Sequence, residues 1–421
     1  MASKIIVVGG GAAGFFAAIA AAEQGADVTV LEKTSRFLEK VRISGGGRCN
    51  VTHACFEPRE FATRYPRGER ALLSPFQKFS ALDTVNWFVA RGVKLKTEAD
   101  GRMFPTTDSS QTIVDCLMEA VQKAGVKLRL NCTVESVTKN ADGKFELMIA
   151  PHPGPLPAGR GEGEKLACEK IYCDGLLLAT GGCRAAVAGQ LAVSLGHTLV
   201  APVPSLFTFQ IESPWLRSLA GVSLAQAEVS VPVAKLRESG PLMVTHWGLS
   251  GPAILKMSAW GARALHDLNY HFPLFVNWLP ASNAEKIVQE FQARRKSVGA
   301  KLLVNVPLFP LTARLWEQLV LAAGLARDTR WSVLTRAQMH ALTQQLTRTE
   351  FSVTGKSLNK DEFVTCGGVK LGELNFQTME SKICPGLFFA GELLDIDGIT
   401  GGFNFQAAWT TGFVAGNAMA K

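Results

Sequence analysis

The chain opens on an apolar run, Lys4-Ile5-Ile6-Val7-Val8, then a glycine-rich break, Gly9-Gly10-Gly11-Ala12-Ala13-Gly14, an Ala-rich stretch to Gln24-Gly25, and a second apolar run over 27–32. That order predicts strand, turn, helix, strand. Continuous apolar strands, of which Ile5 to Val8 is the clearest, imply a parallel sheet covered on both faces, and Gly25 is suited to end the helix. Amphipathic stretches at 83–91 and 112–123 read as helices, and 126–130 and 133–137 as strands. Strand character returns at 175–179, before Thr180-Gly181-Gly182, and at 385–391, while 402–420 reads as a closing helix. Between them, 195–273 shows short β-like runs with turn residues, and 283–346 shows helical periodicity. The first and last segments therefore complete one α/β domain around an insertion. A Pro/Gly-rich segment at 151–164 has no hydrophobic period and reads as an exposed, extended loop.

Composition bounds the picture. With 421 residues, 47% hydrophobic and 19% charged, the chain can bury a large core and divides into two or three domains. The formal charge is +8, but Lys and Arg are scattered and no run is interleaved with aromatics. The expectation is attraction for small anionic ligands, phosphates included, and no nucleic-acid partner. Nine cysteines show neither paired metal spacing nor disulfide-scaffold density, and Cys168 and Cys173 flank a strand edge. A reducing cytoplasm is expected, with no metal. The apolar opening lacks a basic leader and an A-x-A site, and no uncharged stretch spans a bilayer, so neither a signal peptide nor a membrane partner is expected.

Gly9-x-Gly11-x-x-Gly14, after a strand and opening a helix, has dinucleotide-binding spacing: one glycine for a tight turn, one for backbone approach to a pyrophosphate, one for close packing of helix on sheet. The first helical residues, Ala12 and Ala13, would offer free N–H groups to phosphates. Glu32, followed by Lys33, ends the next strand 18 residues after Gly14, where a carboxylate accepts ribose hydroxyls or is merely a solvated strand end. The motif does not separate NAD from FAD. Three further clusters do more: Ser44-Gly45-Gly46-Gly47-Arg48-Cys49-Asn50, Thr180-Gly181-Gly182, and Gly391-Glu392. Each alone is compatible with an ordinary turn; together they describe a ligand longer than one mononucleotide.

Four stretches, Ile43 to Thr52 (ISGGGRCNVT), Gly101 to Pro105 (GRMFP), Thr245 to Pro252 (THWGLSGP) and Ala390 to Gln406 (AGELLDIDGITGGFNFQ), resemble the signatures of a bacterial FAD-dependent oxidoreductase family. Its members are labelled aminoacetone oxidase or bile-acid 7-dehydroxylation-type NAD(P)/FAD oxidoreductase. The resemblance runs end to end, with His53 where an Asn is usual. It implies an α/β Rossmann-like FAD-binding domain in two segments, 1–192 and 362–421, a β-rich inserted domain, 193–275 and 346–361, and a small helical one, 276–345. It further implies Glu32 at the adenosine ribose and Val134 at the adenine through its backbone. Arg48, Cys49 and Asn50 would lie between pyrophosphate and flavin, Gly391 and Glu392 at ribityl and pyrophosphate, and Gly402, Phe403, Asn404 and Gln406 at the flavin ring.

A helix beginning after Gly402 aims its positive end at what lies above it, which favours a reduced, anionic flavin; a plain glycine-started helix is the alternative. Ser250-Gly251-Pro252 is read as an N-cap and N1 proline, opening a helix near His246, the candidate proton donor or acceptor for a small-molecule substrate. A capped helix needs no ligand, however, and a lone His is often structural. Cys49 and Cys55 resemble a flavin dithiol pair, but their spacing is one residue too long and no second GxGxxG supplies an NAD(P) domain. The expected activity is transfer of hydride between the flavin and a small substrate, or NAD(P)H as a transient donor. The alternatives are an amine or amino-acid oxidase using oxygen and a non-catalytic flavin redox sensor. Oligomeric state stays open.

Overall fold

Ile5, Ile6, Val7 and Val8 are each at most 6% exposed. Such unbroken burial follows from a central place in a sheet: strand Lys4–Val8 lies parallel to Gly175–Leu178 on one side and Asp27–Leu31 on the other. In this computed structural model, which describes residues 2–150, 168–183, 186–357 and 364–421, the sheet has seven strands. Their order is Leu374–Asn375, Glu380–Ser381, Leu387–Phe389, Gly175–Leu178, Lys4–Val8, Asp27–Leu31, Lys127–Arg129. Pairs from Leu387–Phe389 to Lys127–Arg129 are parallel, and the first two strands add an antiparallel edge. Strands expected at 126–130 and 133–137 occur as Lys127–Arg129 and Val134–Lys139 but in different sheets, because the chain turns at Asn131, φ 56°. Val134–Lys139 instead joins Phe145–Ile149 and Glu169–Cys173 in an antiparallel sheet. The segment 151–164 lies outside the described residues.

Two helices define the sheet's working end. Ala12–Glu23 and Phe403–Met419 approach closely because their contact is made of small residues. A Cβ on Gly412 would stand 2.3 Å from the Ala13 carbonyl oxygen, and one on Gly416 would stand 2.3 Å from that of Ala17. Matching 13 to 412 and 17 to 416 makes the helices parallel, with Phe403–Met419 starting eight residues earlier, about 12 Å at 1.5 Å per residue.

The chain divides into two compact units, 1–203 with 360–421, and 204–359. The second unit contains a closed six-stranded barrel in the order Thr208–Ile211, Gly248–Ser250, Leu236–Val244, Ser223–Val231, Phe272–Asn277, Thr349–Ser357. More buried and more exposed side chains alternate along Leu236–Val244 and Phe272–Asn277, as in the buried Leu274 and Val276, and at the buried Val229 and Val231 of the neighbouring strand. Helices Ala284–Ser297, Ala313–Ala322 and Arg336–Arg348 belong to this same unit and enclose Phe291, Trp316 and Trp331. Trp278 joins them to the barrel, its indole N–H donating to Thr349 Oγ1 at 2.7 Å.

Candidate cofactor site

The three motif glycines do three different things. At Gly9, φ 115° turns the chain out of the strand, and a Cβ would stand 2.3 Å from the Ala179 oxygen. At Gly14 a Cβ would stand 2.0 Å from the Gly9 oxygen, so only glycine lets the helix rest on the turn. At Gly11 a Cβ would meet nothing within 4 Å. The first intrahelical bond is Phe15 N–H to Gly11 O, and no side chain caps the helix, so the N–H groups of Ala12, Ala13 and Gly14 keep the anion-binding character of a free helix start.

Glu32 is tied to this loop. One carboxylate oxygen accepts Gly10 N–H at 2.8 Å, and the other accepts Thr34 N–H at 2.9 Å and Thr34 Oγ1 at 2.8 Å. A carboxylate has lone pairs left for ribose hydroxyls in that position. Its carbonyl accepts Cys132 N–H at 2.8 Å, which brings the chain leading into Val134 alongside, while Lys33 is exposed. At the end of Gly175–Leu178, Gly181 has φ 79° and open space where a Cβ would be, and Thr180 Oγ1 is buried with no hydrogen-bond partner among the described residues. A Cβ on Gly182 would stand 2.3 Å from Thr365 Oγ1 and 2.8 Å from Glu392 Oε1, which joins three segments far apart in sequence. An uncapped helix start, open backbone at Gly11, Gly46 and Gly181, and an orphan hydroxyl together fit a long phosphate-bearing cofactor.

The 44–50 cluster is a kinked helix end: Gly45, Gly46 and Gly47 have φ of 58°, 67° and 82°. Ser44 Oγ donates to the Val41 carbonyl, and its own carbonyl accepts Cys49 N–H. Arg48 does not present its guanidinium as a free charge. It donates to Glu98 at 2.7 Å, lies 3.5 Å from Asp108, and stacks on Phe104 at 4.0 Å. Cys49 is fully buried, and burial pushes its thiol up to about 12, so it remains protonated and the dithiol reading loses its nucleophile. Asn50, with its amide oriented by its neighbours, accepts Gly402 N–H at 2.9 Å and donates to the Thr52 carbonyl at 3.0 Å.

Gly391, at φ 70°, donates its N–H to Thr411 Oγ1 at 3.0 Å and leaves 2.9 Å between a hypothetical Cβ and Ala13 Cβ. Glu392 is bound to Lys40 at 2.5 Å and accepts Thr365 N–H at 2.9 Å. Beyond it, the buried Asp397 pairs with Arg67, whose Nε donates to Oδ1 at 2.6 Å. Tyr65 hydroxyl donates to the Phe403 carbonyl at 2.5 Å, and His53 Nδ1 lies 3.0 Å from the Gly401 carbonyl. Phe403 and Gln406 are buried at 2% and 0% exposure. The Gln406 amide is consumed by Thr52, Ser80 and Thr410, and Asn404 closes back on Gly398 through two bonds. What remains directed outward is backbone: Gln406 N–H makes the first intrahelical bond, to Gly402, and no side chain caps the N–H groups of Phe403, Asn404 and Phe405. Sequence reading missed Lys40, Tyr65, Arg67 and Thr411; Asp397 lies inside a quoted signature, but nothing in the sequence pairs it with Arg67.

His246 lies in the second unit, exposed in the turn 245–247 of the barrel. Ser250 does not cap the following helix as expected. The cap is Gly251, at φ 95°, with Pro252 at N1, because Ser250 still belongs to strand Gly248–Ser250 and is 7% exposed. Among the described residues there is no cluster that could hold a metal, and no helix is long and apolar enough to cross a membrane.

Residues 3–418 match the family described as HI0933-like protein Rossmann domain. A ribosomal RNA dihydrouridine synthase of Escherichia coli K12 is 30% identical over 400 residues, 93% of this chain and 91% of that one. A 3-dehydro-bile acid delta(4,6)-reductase of Clostridium scindens is 27% identical over 414 residues, 96% and 95% of the two chains. The fold is similar to that of a 3-ketosteroid-delta4-(5alpha)-dehydrogenase from Rhodococcus jostii RHA1, with TM-score 0.53, 16% identity, and coverage of 100% of this chain and 97% of that one.

Proposed function

We propose that this chain, which belongs to the HI0933-like Rossmann family, reduces a carbon–carbon double bond conjugated with a carbonyl group, with uracil in a folded RNA as its substrate. The chain is an oxidoreductase and its cofactor is FAD. One observation carries the finer reading: two relatives that span nearly the whole chain are named for the same kind of chemistry. Making dihydrouridine saturates a ring double bond beside a carbonyl, and a delta(4,6)-reductase of a 3-dehydro bile acid saturates double bonds in line with a 3-oxo group. Uracil is taken first, against the expectation of no nucleic-acid partner from scattered charge, because the relative at 30% identity is named for RNA and because +6 of the chain's +8 falls within residues 276–348.

When bound, FAD supplies a two-electron carrier. The chain's own part is to hold and orient it. Ala12 to Gly14 would receive the phosphates on their N–H groups, and Glu32 the ribose. Phe403 to Phe405 would face the ring with theirs, about 12 Å further along the parallel helices, which suits a pyrophosphate and a ring joined by a ribityl chain. Tyr65, the Arg67–Asp397 pair and Asn50 fix that second helix start. Saturating a conjugated bond also requires a proton at the carbon beside the carbonyl, and His246 is the residue to test for it.

The test is anaerobic. The FAD-loaded protein is reduced with NADPH or NADH, watched in the flavin's visible band, and then mixed with a folded uridine-containing RNA or a steroid 4-en-3-one; a separate, oxidised sample is mixed with an amine. Reoxidation by RNA or enone, with a product two hydrogens heavier, supports the proposal. Bleaching by amines alone, with recovery only in oxygen, would establish the oxidase instead.

A further inference from the structure

Residues 276–348 hold ten Lys and Arg against four Asp and Glu, a net +6 in a chain of +8. Some of this charge is spent locally. Arg294 pairs with Glu290 at 3.0 Å and Arg327 with Glu317 at 2.5 Å, Arg314 donates to the Ser218 carbonyl, and Arg348 lies over the Phe275 ring. Lys286, Arg295, Lys296, Lys301, Arg330 and Arg336 are exposed and have no acidic partner among the described residues.

Four of these are brought to one end of the helical segment. Helix Ala284–Ser297 finishes in the run Arg294-Arg295-Lys296, and the chain that follows is stitched to 329–332. Trp331 N–H donates to Lys301 O at 3.1 Å, Ser332 N–H to Gly299 O at 2.9 Å, and Leu303 N–H to Thr329 O at 2.8 Å, while Leu302 and Arg330 form a β-bridge. Beneath them the fully buried Trp331 meets Phe291, with ring centroids 5.9 Å apart. Arg295, Lys296, Lys301 and Arg330 thus stand on a fixed backbone, with the exposed Asp328 two residues before Arg330. Cations in a last helical turn stabilise the helix by themselves. That accounts for Arg295 and Lys296 but not for Lys301 and Arg330, which belong to no helix.

We propose that this four-cation end is the docking surface for the phosphate backbone of an RNA, and the proposal rests on the RNA substrate proposed above. The aromatic side chains beside the four cations, Phe291 and Trp331, are fully buried and offer no face to stack a base, so the contact is with phosphates rather than bases: it gives affinity and orientation without reading sequence. Each cation that meets a phosphate releases counterions, so binding falls steeply with salt.

The experiment measures binding of the FAD-loaded protein to a labelled, folded ribosomal RNA fragment over a range of salt, beside reduction of a small enone by the same preparations. Wild type should show a log–log salt slope of about −3, and the quadruple variant Arg295→Glu, Lys296→Glu, Lys301→Glu, Arg330→Glu should bind at least about 100-fold more weakly with a flatter slope. Enone reduction should not change, which shows an intact fold and flavin site. Lys296→Glu alone should weaken binding several-fold more than Lys286→Glu, ten residues away on the same helix and about 15 Å along it. Unchanged RNA binding by the quadruple variant, or equal effects at 286 and 296, would overturn the docking surface and leave the reductase reading standing. Wild type that binds anionic phospholipid vesicles but no RNA would overturn it as well. Failure of wild type to reduce either enone or RNA would instead defeat the function proposed above, whatever the binding shows.

Discussion

The two units differ in how their charge is laid out. The Rossmann-like unit is nearly neutral, with 28 basic against 27 acidic residues, although FAD is anionic. Its well-placed cations are occupied: Arg48 by Glu98, Lys40 by Glu392, Arg67 by Asp397. It offers instead the free N–H groups at two parallel helix starts, fixed dipoles that need no reorganisation and leave no mobile charge in the site. The barrel-and-helix unit carries 16 basic against 9 acidic residues, and several of its cations have no acidic partner among the described residues. Dipoles bound into a fold suit a resident cofactor that must be held in one orientation. Exposed charges suit a large partner that must be found and released.

The sharpest way to break this contrast is at the glycines. Gly14→Val should cost about 3 kcal/mol or more, since its Cβ would stand 2.0 Å from the Gly9 oxygen, and thermal unfolding would read the loss. Gly11→Val should keep the apoprotein within roughly 0.5 kcal/mol of wild type while FAD no longer co-purifies. A Gly11→Val protein with full FAD content would remove the first helix start from the phosphate site. Next in size, Glu32→Ala should weaken FAD binding by about ten- to a hundredfold, corresponding to loss of charged hydrogen bonds of roughly 1.5–3 kcal/mol, measured by flavin fluorescence on titration. A salt series separates the two modes without mutation: RNA affinity should collapse as salt rises, whereas FAD affinity should change far less. Equal slopes would mean that the Rossmann-like unit also relies on exposed charge.

Smaller effects probe the second helix start. Asn50→Asp places a negative charge beside the Gly402 N–H and should lower the flavin midpoint potential by about 20 mV, equivalent to roughly 1 kcal/mol over two electrons. An unchanged or raised potential would detach that helix from the flavin. Smallest is the behaviour of Cys49. With its thiol pushed up to about 12 by burial, the thiolate that reacts is absent until far into alkali. In mildly alkaline solution iodoacetamide should label the exposed Cys168 long before Cys49, as read by peptide mass. Early labelling of Cys49 would reopen the dithiol reading.

The strand–turn–helix–strand opening was legible because every interaction that makes it is local: apolar runs, a glycine at φ 115°, and a helix that begins where the strand ends. The division of labour among Gly9, Gly11 and Gly14 could be expected from spacing for the same reason. The side chains near the cofactor were less legible. Arg48 and Gln406 stand inside long signatures, yet Arg48 bonds to a residue 50 positions away and Gln406 to one 354 positions away. Ser250 has the chemistry of a helix cap, but its place in a barrel strand transfers that role to Gly251.

By itself, then, the sequence determined the nucleotide-binding turn, the glycine clusters and the alternation of a sheet-forming frame with an inserted unit, since these rest on periodicity and backbone freedom. Only the tertiary structure decided how those pieces act. It set the two helix starts parallel and offset through contacts at Gly412 and Gly416, neutralised the cations around the glycine clusters, and gathered Arg295, Lys296, Lys301 and Arg330 at one end of the helical segment. Charge and hydrogen-bond partners are chosen by proximity in space, and no pattern along a chain encodes which residues 30 or 350 positions apart will meet.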